Sequence, residues 1–562
     1  MATTQELKPP LTRESDRSTP PLTRALFSSR RVRQLIRTEP MLLAFVAGAL
    51  GARIAFWITT NRMFEDGLTT ITFARNVPLG LGLVHHVGEG RVHGFTSALG
   101  VLIPLVGELI HQGAGMGAMR LASLAAVCVA LVYARFLCRD LKLGAFPTAF
   151  LLAYLAFDQN MIFFGMSGME TQVAVAVILG GIYHVRRRDF VIAGILLGLA
   201  PLARPEFVLW VAPALVYLAL ANVRRALLSA GVAAAVVFPW VVFTTLYYGS
   251  PIPNTIVAKN TIYAIPPIFA NGSVVPWLEW LSGQFTGHVV VLLYRLEPFR
   301  EVWNTAVTPV PEPVFIAVAI ATVYFFILGL IAARGTPDVW PAVAFVGLFF
   351  AYRVYFIPAV NYYDWYLPPF LAVFMILVAL GLQRMSSSIS LAPKTVAVAL
   401  SVAFAVHMPL SFGVESKVQS VENQVRTNAG LYLKSNVQPG QSVVSESAGY
   451  IGFFGDVNLH DYPGLTSRTS VRALQALPTD RRGLADLVSV LKPDWLVMRP
   501  WELALFRARY PDIASQYQEA KVFEISGVPE GEVDSQGARV DFGGYAVTDV
   551  DAKFTILKRI TP

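Results

Sequence analysis

The chain has 562 residues, of which 54% are hydrophobic and only 15% are charged. Soluble domains usually carry about 25% charged residues, so this composition excludes an ordinary soluble protein. Apolar runs of about 20 residues recur along the chain and predict a polytopic helical membrane protein. The net charge is +8, but the basic residues lie in the N-terminal tail and in short loops between apolar runs. That is the positive-inside pattern of membrane proteins, and it argues against a nucleic-acid partner.

In chain order, residues 1–39 are predicted to be a disordered basic cytoplasmic tail. Residues 40–412 are predicted to form a transmembrane domain of about eleven spans, with the N-terminus in the cytoplasm. The predicted spans are 41–60, 119–137, 142–157, 171–186, 189–204, 206–221, 225–246, 313–333, 339–357, 366–383 and 393–412. The apolar stretch 97–111 is interpreted as an interfacial or re-entrant helix, because a span there would invert the loop charges.

Residues 413–562 carry more charge and shorter apolar runs than the preceding part of the chain. Helices are predicted near 420–435 and 482–491, and strands at 442–445, 495–498, 520–525 and 553–559. This alternation predicts a soluble α/β domain of about 150 residues, long enough to bury its own core. Because the number of predicted spans is odd and the N-terminus is predicted to be cytoplasmic, the C-terminal domain is predicted to lie in the periplasm. The transmembrane domain would lie in the inner membrane.

Two adjacent carboxylates, Glu65 and Asp66, follow the first predicted span. Such a pair at a bilayer surface is costly, and one functional interpretation is a general base that deprotonates an acceptor hydroxyl. The alternative is a solvated cap at a helix N-terminus, where acidic residues are common. The residues alone leave both interpretations open.

Further charges interrupt apolar segments on the same predicted face. Glu170 opens one span, either as an anion favoured by the helix dipole or as a second carboxylate in the same cavity. Arg204-Pro205-Glu206 interrupts another apolar segment, either lining a polar cavity or forming a local ion pair in a tight turn.

Two cationic residues and an aromatic cluster complete the predicted outer face. Lys259 is suited to bind a donor phosphate as a point charge, and Arg353 is predicted to lie on the same face. Tyr363 belongs to an aromatic cluster that either stacks on a sugar or forms an interfacial aromatic belt.

The histidines of the first long loop are candidate metal ligands. His85, His86 and His93 lie near Glu89, but no helix gives them a clear ligand geometry, so a polar turn region is the favoured interpretation. The two cysteines, Cys128 and Cys138, have no metal-ligand spacing. No cofactor is assigned, and a divalent cation such as Mg²⁺ or Mn²⁺ stays open.

Taken in order, these motifs resemble those of GT-C superfamily glycosyltransferases, close to the terminal arabinofuranosyltransferases of mycobacterial cell walls. The resemblance covers about residues 41–412 and is carried by Glu65-Asp66-Gly67-Leu68-Thr69, Phe73-Ala74-Arg75-Asn76, Gly80-Leu81-Gly82-Leu83-Val84, His93-Gly94-Phe95-Thr96, Gly168-Met169-Glu170-Thr171, Arg204-Pro205-Glu206, Tyr247 to Thr255 and Ala258-Lys259. It implies an enzyme of the plasma membrane that takes a sugar from a polyprenyl-phosphate donor on the outer face. Within the motifs it implies Arg75, Glu206 and Asn254 as further substrate-binding residues.

The resemblance also shows departures at the acidic pair. The family usually has Asp where this chain has Glu65, and Tyr and Arg where it has Leu68 and Thr72. Either Glu65 works in an adapted site, or Asp66 is the base, or the member has lost activity.

The predicted function is transfer of a sugar, with arabinofuranose as the first candidate, to a cell-envelope polysaccharide or lipid-linked glycan. The alternatives are a lipid or solute transporter and a catalytically lapsed glycan-binding membrane protein. A transporter would more often show inverted repeats and broken helices at the bilayer midplane, and neither is evident.

Overall fold

A computed structural model of the chain describes residues 39–263, 265–269, 272–295, 312–359, 364–386, 408–409, 411–525, 533–534, 537–541 and 546–560. Residues 1–38 of the predicted tail and Tyr363 lie outside these ranges. The first half is helical: α1 Pro40–Thr60, α2 Glu65–Asn76, α3 Ala98–Ile110, α4 Gly115–Asp140, α5 Ala145–Phe157, α6 Gln159–Met166, α7 Thr171–Arg187, α8 Phe190–Ala203, α9 Val208–Ala221, α10 Val223–Tyr248 and α11 Asn254–Ile262. There follow α12 Val275–Arg295, α13 Glu312–Ala333, α14 Trp340–Phe356 and α15 Leu367–Ser386.

Seven helical segments in the described part of the chain are long and apolar enough to cross a membrane. They are Pro40–Thr60, Gly115–Asp140, Ala145–Met166, Val223–Tyr248, Ile316–Ala333, Pro337–Phe356 and Asp364–Met385. Ten of the eleven predicted spans coincide with helices, and the eleventh, 393–412, falls largely outside the described residues. The fold class is therefore confirmed as a polytopic α-helical membrane protein. Helix α3 has 13 residues, about 20 Å at 1.5 Å per residue, so it is too short to span a 30 Å hydrocarbon core upright.

The ends of these helices follow local sequence rules. Pro40 occupies the first turn of α1, where its missing N–H costs no hydrogen bond. Asn222 caps α10 by accepting from the Arg225 N–H at 3.0 Å. Gly249 ends α10 at φ 78°, a left-handed conformation that glycine adopts without strain. The chain then enters the proline-containing loop that leads to α11.

The C-terminal part is an α/β domain. A helical segment runs over 411–436, with a π-helical turn at Asn423–Thr427 and a last stretch, α16, at Asn428–Asn436. The helices that follow are α17 Ala448–Gly455, α18 Arg468–Gln475, α19 Leu484–Leu491, α20 Pro500–Arg509 and α21 Pro511–Ala514, and the strands are β1 Ser442–Ser445, β2 Asn458–Asp461, β3 Trp495–Met498, β4 Tyr517–Glu524, β5 Val533–Asp534, β6 Gly537–Asp541, β7 Ala546–Val550 and β8 Lys553–Arg559.

The main sheet has the strand order β2-β1-β3-β8-β4. β1 pairs in parallel with both β2 and β3, whereas β8 is antiparallel to β3 and β4. A second, antiparallel sheet has the order β5-β6-β7. The four strands predicted from the sequence all belong to the main sheet. Both faces of that sheet are covered, because Val443 and Ile556 pack in one buried cluster while Val444 and Leu557 pack in another.

Candidate functional site

The N-terminus of α2 is held against the turn that precedes α7. The Phe64 N–H donates to the Ser167 carbonyl at 2.9 Å. Gly67 lies so close to this turn that a Cβ there would be 3.0 Å from the Gly168 carbonyl carbon. The close contact, which glycine permits, places Asp66 beside the turn that carries Glu170.

A buried ion cluster is built around Arg204. Its Nη1 donates to Glu170 Oε1 at 2.6 Å, and its Nε donates to Glu206 Oε1 at 2.8 Å. The guanidinium lies 4.4 Å from the centre of the Tyr366 ring. All three charged side chains are at most 7% exposed. Because two carboxylates share one guanidinium, the cluster carries no surplus positive charge of its own.

Lys259 and Asp66 adjoin this cluster. The Lys259 Nζ lies 5.9 Å from the same Tyr366 ring centre. Burial raises the pKa of Asp66, while the charges of Lys259 and Arg204 oppose the increase. Burial and the charge of Arg204 lower the pKa of Lys259, while Asp66 opposes that decrease. Each group therefore helps to keep the other charged, and Asp66 is a stronger proton acceptor than an exposed carboxylate.

Glu65 faces the other way, into the C-terminal domain. Its carboxylate accepts from Ser447 Oγ at 3.1 Å, from the Gly449 N–H and from the Tyr450 N–H at 3.3 Å, at the start of α17. The Arg426 guanidinium lies 3.5 Å away. The acidic pair is thus divided: Glu65 joins the two domains, and Asp66 lies with the basic residues.

Other predicted substrate-binding residues also contact the C-terminal domain. Arg75 Nη1 donates to the Phe453 carbonyl at 2.6 Å, and Asn254 Nδ2 donates to the Gly464 carbonyl at 2.7 Å. Their polar groups therefore connect the two domains and do not join the cluster around Arg204. Arg353 is 3% exposed in α14, with Tyr366 and Glu206 among its electrostatic neighbours.

The contacts between domains could not be found from sequence spacing. Arg426 reaches Glu65 from a position 361 residues further along the chain. Arg426 also pairs with Asp551 and with Glu422, the latter at 3.3 Å. No local pattern around residue 426 distinguishes this arginine from a solvated one on a helix surface.

The histidines of the first loop are structural neighbours of the C-terminal domain. A Cβ on Gly452 would lie 2.3 Å from the His85 ring. Burial and the charges of His86 and Arg75 lower the pKa of His85 well below its ordinary value, so its ring is neutral. In the described part of the chain, no three His, Cys, Asp or Glu side chains come together in a way that could hold a metal ion.

An apolar groove of about 860 Å³ opens between α9, α12 and α14. Leu209, Leu281, Phe285 and Gly347 line it together with Tyr352. Tyr352 also lies within electrostatic reach of Arg204 and Arg353. Tyr352 therefore places one part of the groove's lining near the charged cluster.

The Glu65 contact predicts a pH dependence of stability. Burial and the charges of Glu446 and Glu422 raise the pKa of Glu65 to about 7 from 4.5, against the opposing effect of Arg426. The pKa of Glu65 is higher in the folded protein than in the unfolded chain. The contribution of Glu65 to stability is therefore complete below pH 4.5 and is lost as the pH rises through about 7. Between pH 5 and pH 8, we expect the free energy of unfolding of wild type to fall by about 2 kcal/mol more than that of Glu65→Gln. Thermal unfolding at several pH values measures this difference. An equal dependence in both proteins would contradict this account.

The approach of Gly449 to Glu65 predicts a second effect. A Cβ at residue 449 would lie 2.0 Å from the Glu65 carbonyl oxygen, so Gly449→Ala must push the two domains apart. A displacement of about 1 Å can reduce an enzymatic rate about 100-fold, and we expect a loss of that order in the activity proposed below. Gly231→Ala is the control, because nothing lies within 4 Å of its Cβ position. Wild-type activity of Gly449→Ala would show that the docking contact is dispensable.

Comparisons with known proteins give a partial match. Residues 416–547 match a family model described as a domain of unknown function, DUF8728. No curated protein matches the chain significantly. Among solved structures the chain is similar to ArnT from Cupriavidus metallidurans bound to undecaprenyl phosphate, at 13% identity and a TM-score of 0.48, over 92% of this chain and 98% of that one. The apo state of ArnT aligns at 14% identity and a TM-score of 0.41, over 83% of this chain and 94% of that one. Similarity this low identifies neither a substrate nor an activity for this chain.

Proposed function

We propose that this chain is a membrane glycosyltransferase of the GT-C type that moves a sugar from a polyprenyl-phosphate donor to a hydroxyl of a cell-envelope glycan. The observation that carries the proposal is the placement of Asp66 and Lys259 as electrostatic neighbours beside the buried Arg204 cluster, with Lys259 and Arg204 over the same Tyr366 ring. The motifs that resemble the GT-C enzymes lie around these residues. Arabinofuranose is the sugar that the sequence resemblance favours, and the outer face of the plasma membrane is the proposed location of the site.

The isoprenoid chain and the phosphate of the donor match two features of the structure, the apolar groove and Lys259. The apolar groove suits a branched isoprenoid chain, because its lining is almost entirely hydrophobic and includes part of the candidate membrane span Pro337–Phe356. Lys259 supplies a compact positive charge for the phosphate at the end of that chain. Arg204 has two carboxylate partners already, so its role is to hold Glu170, Glu206 and Tyr366 in place beside Lys259.

The proposed reaction is a single displacement. The acceptor hydroxyl oxygen attacks the anomeric carbon and forms the glycosidic bond, while the bond between that carbon and the phosphate oxygen breaks. The electron pair of the broken bond leaves on polyprenyl phosphate, and the hydroxyl proton passes to Asp66. The leaving group is a stabilised anion and needs no strong acid, so one carboxylate base is sufficient.

Donor binding would also prepare the base. In the free protein Asp66 and Lys259 keep each other charged. A phosphate that pairs with Lys259 competes with Asp66 for that positive charge and leaves the carboxylate more basic. The base is therefore strongest when the donor is in place.

A panel of donors tests the proposal. Purified full-length protein in lipid vesicles is incubated with several polyprenyl-phosphate sugars, arabinofuranose among them, with and without a neutral oligosaccharide. We expect one donor to be consumed, with release of polyprenyl phosphate and labelling of the oligosaccharide. No release from any donor, by folded protein, would reject the proposal and favour the binding or transport alternatives.

The groove predicts dependence on the donor's chain length. Gly347 lines the groove and has nothing within 4 Å of its Cβ position, so Gly347→Phe fills the groove without a clash at the backbone. We expect the KM for a long-chain donor to rise about tenfold, while a short prenyl donor is used as before. Gly231→Phe, at another open helical glycine, is the control. Equal effects on both donors would place the lipid tail elsewhere.

A further inference from the structure

The C-terminal sheet has a position at which α/β domains commonly bind ligands. From β1 the chain passes to β2 on one side, and it later crosses back to β3 on the other side of β1. Ligands of such sheets bind beyond the carboxyl ends of the strands, where the strand order reverses. Glu446 directly follows β1, and Arg499 directly follows β3. These two residues mark the switch point.

Glu446 is held by an ion pair at this position but remains partly exposed to solvent. Arg499 Nη2 donates to Glu446, and the same guanidinium pairs with Glu502 at 3.3 Å and with Asp551 at 3.0 Å. Even so, 39% of the Glu446 side chain is exposed. Its contact with Arg499 leaves lone pairs for other donors, since a carboxylate has about four acceptor sites.

The same edge of the sheet faces the membrane site. Glu446 precedes Ser447, whose hydroxyl donates to Glu65, and Glu65 precedes Asp66. Glu446 and Asp66 therefore lie on either side of one contact between the domains. The charge of Glu446 also acts on both Glu65 and Asp66, so the three carboxyl groups belong to one region of the contact between the domains.

The two sides of this region differ in chemistry. On the membrane side, Lys259 is suited to an anionic phosphate. On the C-terminal side, Glu446 favours groups that donate hydrogen bonds and repels anions. A ligand that lies against Glu446 is therefore expected to be rich in hydroxyls and to carry no negative charge near the reacting oxygen.

We propose that Glu446 binds the acceptor, accepting hydrogen bonds from hydroxyls of a neutral sugar and holding one hydroxyl within reach of Asp66. This inference rests on the proposed glycosyltransferase function and assigns the C-terminal domain a direct part in it. The domain supplies the acceptor-binding wall of the site, and the contact of Glu65 with Ser447, Gly449 and Arg426 fixes that wall against the base.

The test separates transfer from donor hydrolysis in full-length protein in vesicles. We expect Glu446→Gln to raise the KM for a neutral oligosaccharide acceptor about ten- to a hundredfold, as for loss of a charged hydrogen-bond acceptor, and to change donor hydrolysis in the absence of acceptor by a much smaller factor. Glu446→Asp should recover part of the affinity. Glu519→Gln is the control, because Glu519 is exposed and pairs with Arg507 at the surface of the same domain.

The nature of the acceptor gives a second measurement. Wild type should discriminate against the same oligosaccharide carrying a phosphate, and Glu446→Gln should discriminate less, which a merely structural role would not produce. A wild-type KM and unchanged discrimination in folded Glu446→Gln would overturn the inference, while hydrolysis and transfer would still support the proposed function. Absence of both reactions in wild type would overturn the proposed function and this inference with it.

Discussion

Asp66→Asn should abolish most sugar transfer, lowering kcat/KM by about 10²- to 10⁴-fold, because the amide cannot accept the acceptor's proton. Glu65→Gln should lose less than about tenfold, since Glu65 is engaged by Ser447 and the α17 N–H groups of the C-terminal domain. Transfer is followed by release of polyprenyl phosphate and by labelling of the acceptor. The ratio of the two losses is the informative quantity, because each substitution replaces the carboxyl group of one of two adjacent residues with an amide.

Asp338→Asn is the matched control for these two variants. Asp338 pairs with Arg186 at 2.5 Å, far along the chain from the acidic pair, and is 30% exposed. It removes the same charge by the same chemistry and should leave transfer unchanged. A larger loss in Glu65→Gln than in Asp66→Asn would assign the base to Glu65 and contradict the division of the pair.

Arg204→Met should cause the largest loss of stability of any substitution considered for this site. It leaves Glu170 and Glu206 as buried carboxylates without their guanidinium, at 4% and 3% exposure. Breaking a buried ion pair in this way costs about 3–5 kcal/mol. We expect a large decrease in the thermal unfolding midpoint in lipid and no detectable transfer.

Two further variants separate the stability of this cluster from its activity. Arg204→Met combined with Glu170→Gln and Glu206→Gln removes the unpaired charges and should recover much of the stability but none of the activity. Arg507→Met, which removes an exposed pair with Glu519, should cost less than about 1 kcal/mol. An unfolding midpoint of Arg204→Met equal to that of Arg507→Met would show that the cluster does not hold the helices together.

The sequence predicted the fold well where a physical rule acts locally. Apolar runs and loop charges located the helices, because hydrophobic length and the positive-inside bias are read from short windows. The strand Asn458–Asp461 was missed, since its sequence, Asn-Leu-His-Asp, is too short and too polar to show the β pattern. It becomes a strand by pairing in parallel with Ser442–Ser445, a contact that no local window contains.

The site was predicted only in part, for a similar reason. The sequence identified Asp66, Arg204, Glu206 and Lys259 as polar interruptions near apolar segments, and the structure brings them together. The sequence could not predict that Glu65 and Asp66 lie in different surroundings. Which way each of two neighbouring side chains faces at the start of a helix depends on partners that are distant in the sequence. Those partners, Ser447 and Arg426, belong to a domain that begins some 350 residues later.

The anomeric configuration of the product tests the central claim most directly. Wild-type protein in vesicles is given the donor that the panel identifies and a neutral oligosaccharide acceptor, and the configuration of the new linkage is read by NMR spectroscopy. A single displacement with Asp66 as the base predicts a product inverted relative to the donor, formed at least about 100-fold more slowly by Asp66→Asn. Retention of configuration would mean that the acceptor did not attack opposite the leaving phosphate in one displacement, and it would contradict the account.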